Sequence, residues 1–163
     1  MIVICDTSPI CYLLLIGEIE LLPQLYGKVL IPQLVGQELA DERSPLIVKA
    51  WINQPPEWLT IQTVEVPSQG DLDNLDPGER AAIVLAEQQE ADLLIIDDLL
   101  GRRIALSRQL RVTGLLGVLD EAAKQNLLDF PGAIARLQQT TFRASSKLIQ
   151  LLLQRHQKEN DIS

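Results

Sequence analysis

The chain has 163 residues, of which 47% are hydrophobic and 22% charged, a composition that indicates one globular domain with an aliphatic core and excludes a disordered protein. The apolar runs are shorter than the roughly 20 residues that span a bilayer, a basic secretory signal is missing, and the two cysteines lack zinc-binding spacing, so we expect a cytoplasmic protein. The net charge of −8 argues against broad electrostatic binding to nucleic acid, because phosphate affinity normally comes from Lys and Arg, unless bound divalent cations reverse the charge locally.

Strand and helix patterns alternate through the first part of the chain. In order, they predict a buried strand at residues 2–5, a helical hairpin broken at Gly17 and ended at Gly27, a strand at residues 28–31, helices at residues 32–42 and 44–54, and an edge strand at residues 59–66. The first helix is expected to take Ser8 as its cap and Pro9 as its first residue.

The second part of the chain continues the same alternation. It predicts a loop at residues 67–76, a helix at 77–90, a buried strand at 93–96, a helix ending near Leu110, a very short strand at 111–114, and helices at 116–125, 131–139 and 145–157. Strands separated by helices imply parallel connections, so we expect an α/β fold with three layers, α/β/α, around a central, mostly parallel sheet. Residues 1–130 form the main domain in this interpretation, and residues 131–163 form a C-terminal helical extension packed on it.

The last predicted helix has an apolar face that is wider than a surface helix needs. Packing onto its own domain is the simpler explanation, and an interface with a second copy or a protein partner is the alternative. His156, the single histidine of the sequence, is expected to be an exposed residue of this helix.

Acidic residues follow two of the predicted strands directly. Asp6 comes after the first strand, and Asp97 and Asp98 come after the strand at residues 93–96. Ligands collect outside the carboxyl ends of parallel strands, and those ends face the same way. Each acid also has a simpler interpretation as a helix cap. Two acids in a row exceed what a cap requires, and which of them faces the site stays open.

Two further acids lie in predicted helices. Glu38 falls between Leu34 and Val35 on a helical wheel, inside the apolar arc, where a charge is costly unless it is paired or bound to a metal. A salt bridge to an arginine is the alternative. Glu79 fits a capping box with Asp76, yet it also lies on the helix face directed toward the sheet.

The acids could converge on one site. Folding would bring together Asp6, Glu38 and Glu79 with Asp97 or Asp98, which lie on four different elements. Clustered carboxylates repel one another and are stabilised by a cation. Sites with oxygen ligands alone suit Mg²⁺ or Mn²⁺, and not zinc.

The same residues carry a resemblance to the PIN-domain superfamily over about residues 1 to 130. The matching segments are Ile-Val-Ile-Cys-Asp6-Thr7-Ser8, Val-Gly-Gln-Glu38-Leu, Leu-Asp-Pro-Gly-Glu79-Arg-Ala-Ala-Ile-Val-Leu-Ala, Leu-Leu-Ile-Ile-Asp97-Asp98 and Arg-Val-Thr-Gly114-Leu-Leu-Gly-Val-Leu. They resemble the opening strand with the first acid, the segments of the other three acids, and the closing strand and helix of that family. The chain is most similar to a prokaryotic PIN-like subgroup of poorly defined function.

The resemblance implies a ribonuclease that depends on Mg²⁺ or Mn²⁺ and hydrolyses RNA phosphodiesters. The implied catalytic carboxylates are Asp6, Glu38, Glu79 and Asp98, with Asp97 as a further candidate metal ligand. Many members of the family are toxins paired with a small antitoxin, and many form homodimers, so both partners are expectations here. The competing interpretation is a PIN fold whose site is catalytically silent and which serves as a binding or assembly module.

Substrate contacts are predicted from residues beside these acids. Thr7 or Ser8 could donate a hydrogen bond to a water or a phosphate, and Arg102 and Arg103 could contact RNA. Together with Arg108 and Arg111, these arginines cluster near the expected site in the sequence, but they point several ways on a helix. A solvated helix face with some salt bridges is the simpler explanation.

Overall fold

A computed structural model describes residues 1–67 and 70–162 of the chain, so residues 68 and 69 of the predicted loop and residue 163 of the predicted extension lie outside the described residues. Its five strands are β1 (Val3–Cys5), β2 (Val29–Pro32), β3 (Leu59–Gln62), β4 (Leu93–Ile95) and β5 (Val112–Thr113). They form one sheet in the order β3-β2-β1-β4-β5, and every pair is parallel. The predicted α/β fold with a central parallel sheet is therefore confirmed.

Nine α-helices connect and cover the strands within the described residues. They are α1 (Thr7–Leu15), α2 (Leu21–Tyr26), α3 (Gln33–Leu39), α4 (Leu46–Asn53), α5 (Pro77–Gln88), α6 (Leu99–Ser107), α7 (Leu115–Lys124), α8 (Phe130–Gln138) and α9 (Ser146–Ile162). A short 3-10 helix, Asp71–Asn74, lies inside the predicted loop.

Several predicted boundaries differ from the structure, and two of them bear on the site and on the sheet. The first helix does not begin at Ser8 and Pro9: it begins at Thr7, because β1 ends at Cys5 and only Asp6 separates the two elements. The edge strand stops at Gln62 and not at residue 66, because its partner β2 ends at Pro32, which pairs with Gln62, so the following residues have no strand to pair with.

Both faces of the sheet are buried, which produces the three layers. Alternate residues of β1 point to opposite faces, as strand geometry requires: Val3 and Cys5 belong to one hydrophobic core and Ile4 belongs to the other. The core around Ile4 is closed by α5 and α6, and the larger core on the other face is closed by the remaining helices.

The C-terminal helices share that larger core. Phe130, Ile134 and Ile149 from α8 and α9 are buried in it together with residues of the first helices. The prediction that His156 is exposed was wrong, since the residue is 5% exposed. Its Nε2 lies 2.8 Å from Asp120 Oδ1 on α7, and its ring lies 4.3 Å from the Phe130 ring. Two neighbours on other helices thus hold the imidazole inside.

The strand order defines where a ligand site is expected. The chain runs from β1 outward to β3, and then resumes at β4 on the other side of β1. Ligands bind outside the carboxyl ends of the strands at such a reversal. Asp6 and Asp97 both follow strands at this edge, and the crossover from β3 brings the first turn of α5 to the same edge. In the described part of the chain, no helix has the length and apolar character needed to cross a membrane.

Candidate functional site

A cavity of about 540 Å³ lies at the carboxyl edge of the sheet and is lined by acids. All five predicted acids line it, together with a sixth that sequence reasoning had treated only as a helix cap: Asp6, Glu38, Asp76, Glu79, Asp97 and Asp98. Thr7 and Ser8 line it as well. The fold therefore brings the predicted carboxylates to one place.

Asp6 lies at the centre of the strand edge. Its backbone N–H donates to the Ile95 carbonyl at 2.9 Å, which continues the β1–β4 pairing and directs the side chain into the cavity. The side chain is 4% exposed. Burial raises the pKa of this carboxyl from 3.8 to about 7, the backbone N–H of Thr7 opposes that rise, and the charges of Asp76 and Glu38 add to it.

Glu38 is held at both carboxylate oxygens. The Thr7 hydroxyl donates to Oε2 at 2.5 Å, and the Gly78 N–H donates to Oε1 at 3.0 Å. Burial raises the pKa of Glu38, and these two donors partly oppose the rise. The position of Glu38 inside an apolar arc has a physical explanation, because this side of α3 faces α5 and the site. A salt bridge to an arginine is not what holds it.

Gly78 is required by the closeness of Glu38, since a Cβ there would lie 2.6 Å from Glu38 Oε2 and 2.7 Å from Cδ. We expect Gly78→Ala to displace the Glu38 carboxylate and to weaken Mn²⁺ binding by about 10- to 100-fold, the usual cost of disturbing a ligand's support. The metal-free fold should survive, because Ala favours a helix over Gly by about 1 kcal/mol. Isothermal titration calorimetry with Mn²⁺ measures the effect.

Gly36→Ala is the matched control for this variant. A Cβ at this buried helical glycine would meet nothing closer than Ile61, at 3.9 Å. Its Mn²⁺ affinity should equal that of the parent. Equal affinities for the Gly78 and Gly36 variants would exclude Glu38 from the metal ligands.

The sequence left two roles open for the pair Asp76 and Glu79, a helix cap and a place in the site, and the structure contains both. The Glu79 N–H donates to Asp76 Oδ1 at 2.8 Å, so Asp76 does cap α5. The Glu79 side chain is nevertheless buried in the cavity, at 9% exposure. Burial raises the pKa of Glu79 well above its ordinary value, and the neighbouring carboxyls of Asp76 and Asp98 raise it further. This group of acids is therefore poised to lose protons when a cation enters.

Asp97 and Asp98 both line the cavity but are held differently. Asp97 Oδ1 accepts from the Leu115 N–H at 2.8 Å, and burial raises the pKa of Asp97 against the opposing influence of that donor. A Cβ on Gly114 would lie 2.6 Å from the same oxygen, so glycine is required there. Asp98 is exposed and caps α6, since its Oδ2 accepts from the Gly101 N–H at 2.7 Å.

The arginines are spread around the molecule. Arg102 lies close enough to Asp97 to oppose the rise in its pKa, whereas Arg103 is exposed and does not line the acidic cavity. Arg108 pairs with Asp71 and Glu87, the salt-bridged surface that was the simpler prediction. Arg111 precedes β5 and thus lies at the amino end of a strand, away from the site, although its place in the sequence suggested otherwise.

The acidic cavity fits a divalent cation by the chemistry of its unpartnered atoms. Among the residues that the structure describes, four buried side-chain polar atoms lack a hydrogen-bond partner, and three of them are carboxylate oxygens of this cavity: Asp6 Oδ1, Glu79 Oε2 and Asp97 Oδ2. Buried polar atoms are nearly always satisfied, so these oxygens need a partner. Over residues 1–67 and 70–162, no three His, Cys, Asp or Glu side chains are already arranged around a common cation position. A bound ion would have to draw the carboxylates together.

The segment between α8 and α9 completes the wall of the cavity. Thr141, Phe142 and Arg143 line it, as do Cys11 and Tyr12 of α1. Sequence reasoning did not identify these residues. An aromatic and a basic residue in a connecting segment carry no signal of where that segment packs.

Three comparisons with known proteins bear on this fold. A family model, DUF3368, described as a PIN domain, matches residues 2–158, which extends past residue 130 into the C-terminal helices. A solved structure of a PilT N-terminus domain protein, SSO1118, from the hyperthermophilic archaeon Sulfolobus solfataricus P2 is similar with a TM-score of 0.55 and 17% sequence identity, covering 75% of this chain and 93% of that one. Curated proteins provide no match. The structural likeness concerns the fold alone.

Proposed function

This chain belongs to the PIN-domain family DUF3368, a nuclease-type fold, and from that premise we propose that it is a divalent-metal-dependent endoribonuclease. The single observation that carries the proposal is the set of unpartnered buried oxygens of Asp6, Glu79 and Asp97 in one cavity. Carboxylates in that state are stabilised by a cation and are costly without one.

The residues that would hold the cation are the predicted acids. Asp6, Glu38 and Glu79 supply three carboxylates, and Asp97 or Asp98 supplies the fourth. Oxygen donors of this kind suit Mg²⁺ or Mn²⁺. When bound, such an ion makes a nucleophilic water available at neutral pH and stabilises charge on the phosphate and the leaving oxygen.

The protein's own part is to position these groups. The Thr7 hydroxyl and the Gly78 N–H fix the Glu38 carboxylate. The Leu115 N–H fixes one oxygen of Asp97, and the other oxygen is buried without a hydrogen-bond partner among the described residues. The hydroxyl of Thr7 is thus committed to Glu38. Ser8 lies beside Asp97, where its hydroxyl helps to stabilise the carboxylate charge, and it remains the candidate for a contact to water or phosphate.

An RNA cleavage assay with Mn²⁺ and with EDTA tests the proposal. We expect cleavage of single-stranded RNA in Mn²⁺ and none in EDTA, because the carboxylates alone repel a phosphate. The sample must be purified free of other nucleases, which an inactive variant prepared in parallel verifies. A protein that binds Mn²⁺ but cuts no RNA would favour the competing function, a silent PIN fold that serves as a binding or assembly module.

Two finer proposals concern partners. We propose that the chain acts as the toxin of a pair with a small antitoxin and forms a homodimer, as many PIN domains do. The apolar face of α9 is the surface to examine: Ile149 is buried against the domain, whereas Leu148 and Leu151 are 45% and 56% exposed. The helix therefore packs on its own domain and still presents leucines to a partner.

A further inference from the structure

A second cavity shares a wall with the acidic one. It has a volume of about 580 Å³, within the range of pockets that bind small ligands. Three residues line both cavities: Asp97, Phe142 and Arg143. A polymer whose phosphate lies at the acids would therefore extend directly into the second cavity. The two cavities are therefore placed to hold adjoining groups of one ligand.

The lining of the second cavity is suited to a flat ring. Four leucines supply its aliphatic surface: Leu99, Leu116, Leu148 and Leu152. Gly114 and Gly117 add surface without side chains, and Thr113 and Ser145 add hydroxyls that can both donate and accept hydrogen bonds. A nucleobase needs this combination of apolar faces and a few polar edges.

Two arginines at this cavity are free of the ion pairs that occupy others. Arg102 and Arg143 line it, and within the described residues neither has a carboxylate oxygen within 4 Å of its guanidinium. By contrast, Arg108 and Arg136 are paired with acids. Arg102 acts on the charge of Asp97 without forming a salt bridge, and the other carboxylate of this cavity, Asp120, is paired with Arg155 and Lys124. In a chain of net charge −8, the guanidinium groups of Arg102 and Arg143 are therefore placed to contact a polyanion.

The shared wall is held in place by α1. The Tyr12 hydroxyl lies 2.8 Å from Thr141 Oγ1, and the rings of Tyr12 and Phe142 pack edge to face with centroids 5.2 Å apart. The Phe142 N–H also donates to the Thr140 hydroxyl at 3.2 Å. These contacts fix the Phe142 ring between the two cavities without burying it completely.

We propose that the second cavity binds the base of a nucleotide adjoining the scissile phosphate in single-stranded RNA, with Phe142 as the stacking surface and with Arg102 and Arg143 as phosphate contacts. The proposal rests on the proposed ribonuclease function for the identity of the ligand. A base in a duplex is stacked and paired and cannot enter a side cavity, so the substrate is single-stranded. Aromatic stacking accepts any base, which predicts weak sequence preference.

Fluorescence anisotropy of labelled single-stranded RNA tests this proposal. The RNA carries fluorescein and is about ten nucleotides long, a length typical of such sites. The measurements use full-length protein carrying Asp6→Asn, so that the RNA stays intact. We expect Phe142→Leu to weaken binding by about 5- to 150-fold, the range for losing one stacked base. Phe142→Tyr, which keeps the ring, should bind within about twofold of the parent.

Arg143→Ala should weaken RNA binding. It should also lower the salt dependence of the RNA affinity by the amount expected for the loss of about one phosphate contact. Arg111→Ala is its matched control, because Arg111 is an exposed arginine at the amino end of β5. Thermal melting of each variant shows whether the fold is retained. Arg143 is exposed and forms no ion pair among the described residues, so replacing it should leave the fold unchanged.

Three results would overturn the proposal: RNA affinity unchanged in Phe142→Leu and Arg143→Ala, tighter binding to duplex than to single-stranded RNA, or no binding of RNA at all. Unchanged RNA affinity in these two variants is also the result expected if a protein partner occupies the cavity.

Cleavage in Mn²⁺ whose KM is unchanged by Phe142→Leu would refute this inference alone. Binding that depends on Phe142 without any cleavage would refute the proposed ribonuclease function alone.

Discussion

Replacing Asp6 with asparagine is expected to lower RNA cleavage by more than about 100-fold, because disturbing even the outer partners of metal ligands typically costs 10- to 100-fold. Asp6 lies at the reversal of the strand order and is 4% exposed, and its Oδ1 has no hydrogen-bond partner among the described residues. Asparagine has nearly the same shape but lacks the charge that would hold the cation. The rate of cleavage in Mn²⁺ measures the effect.

The fold of this variant should be retained. In the metal-free protein, the Asp6 carboxylate is buried near the charges of Asp76, Glu38 and Asp97, so removing its charge relieves repulsion. We therefore expect Asp6→Asn to melt at or above the temperature of the parent in EDTA at pH 7.5. Glu57→Gln is the matched control, since it removes an exposed charge in the segment before β3. Cleavage by Asp6→Asn at the rate of this control would remove Asp6 from the site.

The fold could be predicted because its signals are local. The apolar segments around β1 and β4 are short and bounded by acids, and the helices between them have clear starts and stops. The rule that parallel strands end at one edge then places Asp6 and Asp97 together. The end of a strand cannot be predicted in this way when it depends on the length of the partner strand. The strand β3 is an example, because residues 63–66 do not themselves show that β2 ends at Pro32.

The parts of the site that could not be predicted depend on tertiary packing. Asp76 has the sequence pattern of a helix cap and fills that role, and only the fold shows that the same carboxyl lines the cavity. His156 is polar and close to the chain end, yet Asp120 and Phe130 from other helices enclose it. Phe142 lies in a connecting segment whose position is set by a contact with Tyr12, 130 residues earlier in the chain.

Stabilisation of the protein by Mn²⁺ is expected to depend strongly on pH. At 100 times its dissociation constant, a ligand that binds only the folded state raises the free energy of unfolding by about 2.7 kcal/mol, which corresponds to about 5–10 °C in Tm for a chain of this size. We expect this gain at pH 7.5. At pH 5.5 the gain should fall to about one third, because a proton occupies Asp6, whose pKa is about 7, and competes with the cation.

The metal-free protein should show the opposite trend with pH. Because the pKa of Asp6 is raised from 3.8 to about 7 on folding, the folded state binds more protons than the unfolded state between these pH values. The free energy of unfolding therefore falls as pH rises from about 4 to 7 and is unaffected by this group above that range. The raised pKa values of Glu38, Asp97 and Glu79 act in the same direction, and that of Glu79, about 10, extends the fall above pH 7. Carboxyls whose pKa is lowered, such as Asp120, act in the opposite direction only at lower pH, near and below 3.8.

Thermal melting at pH 5.5 and pH 7.5, in EDTA and in Mn²⁺, separates these effects, with KCl of equal ionic strength as the control for screening. The Asp6→Asn variant should lose most of the Mn²⁺ gain at pH 7.5 and should show a smaller fall in metal-free stability with pH, since Asp6 is one of the buried acids whose raised pKa produces that fall. A gain from Mn²⁺ of the same size at both pH values would show that the carboxylates of the cavity do not take up the cation in exchange for protons. A metal-free Tm that rises from pH 5.5 to pH 7.5 would show that the raised pKa values of these buried acids do not dominate the stability of the folded protein in this range.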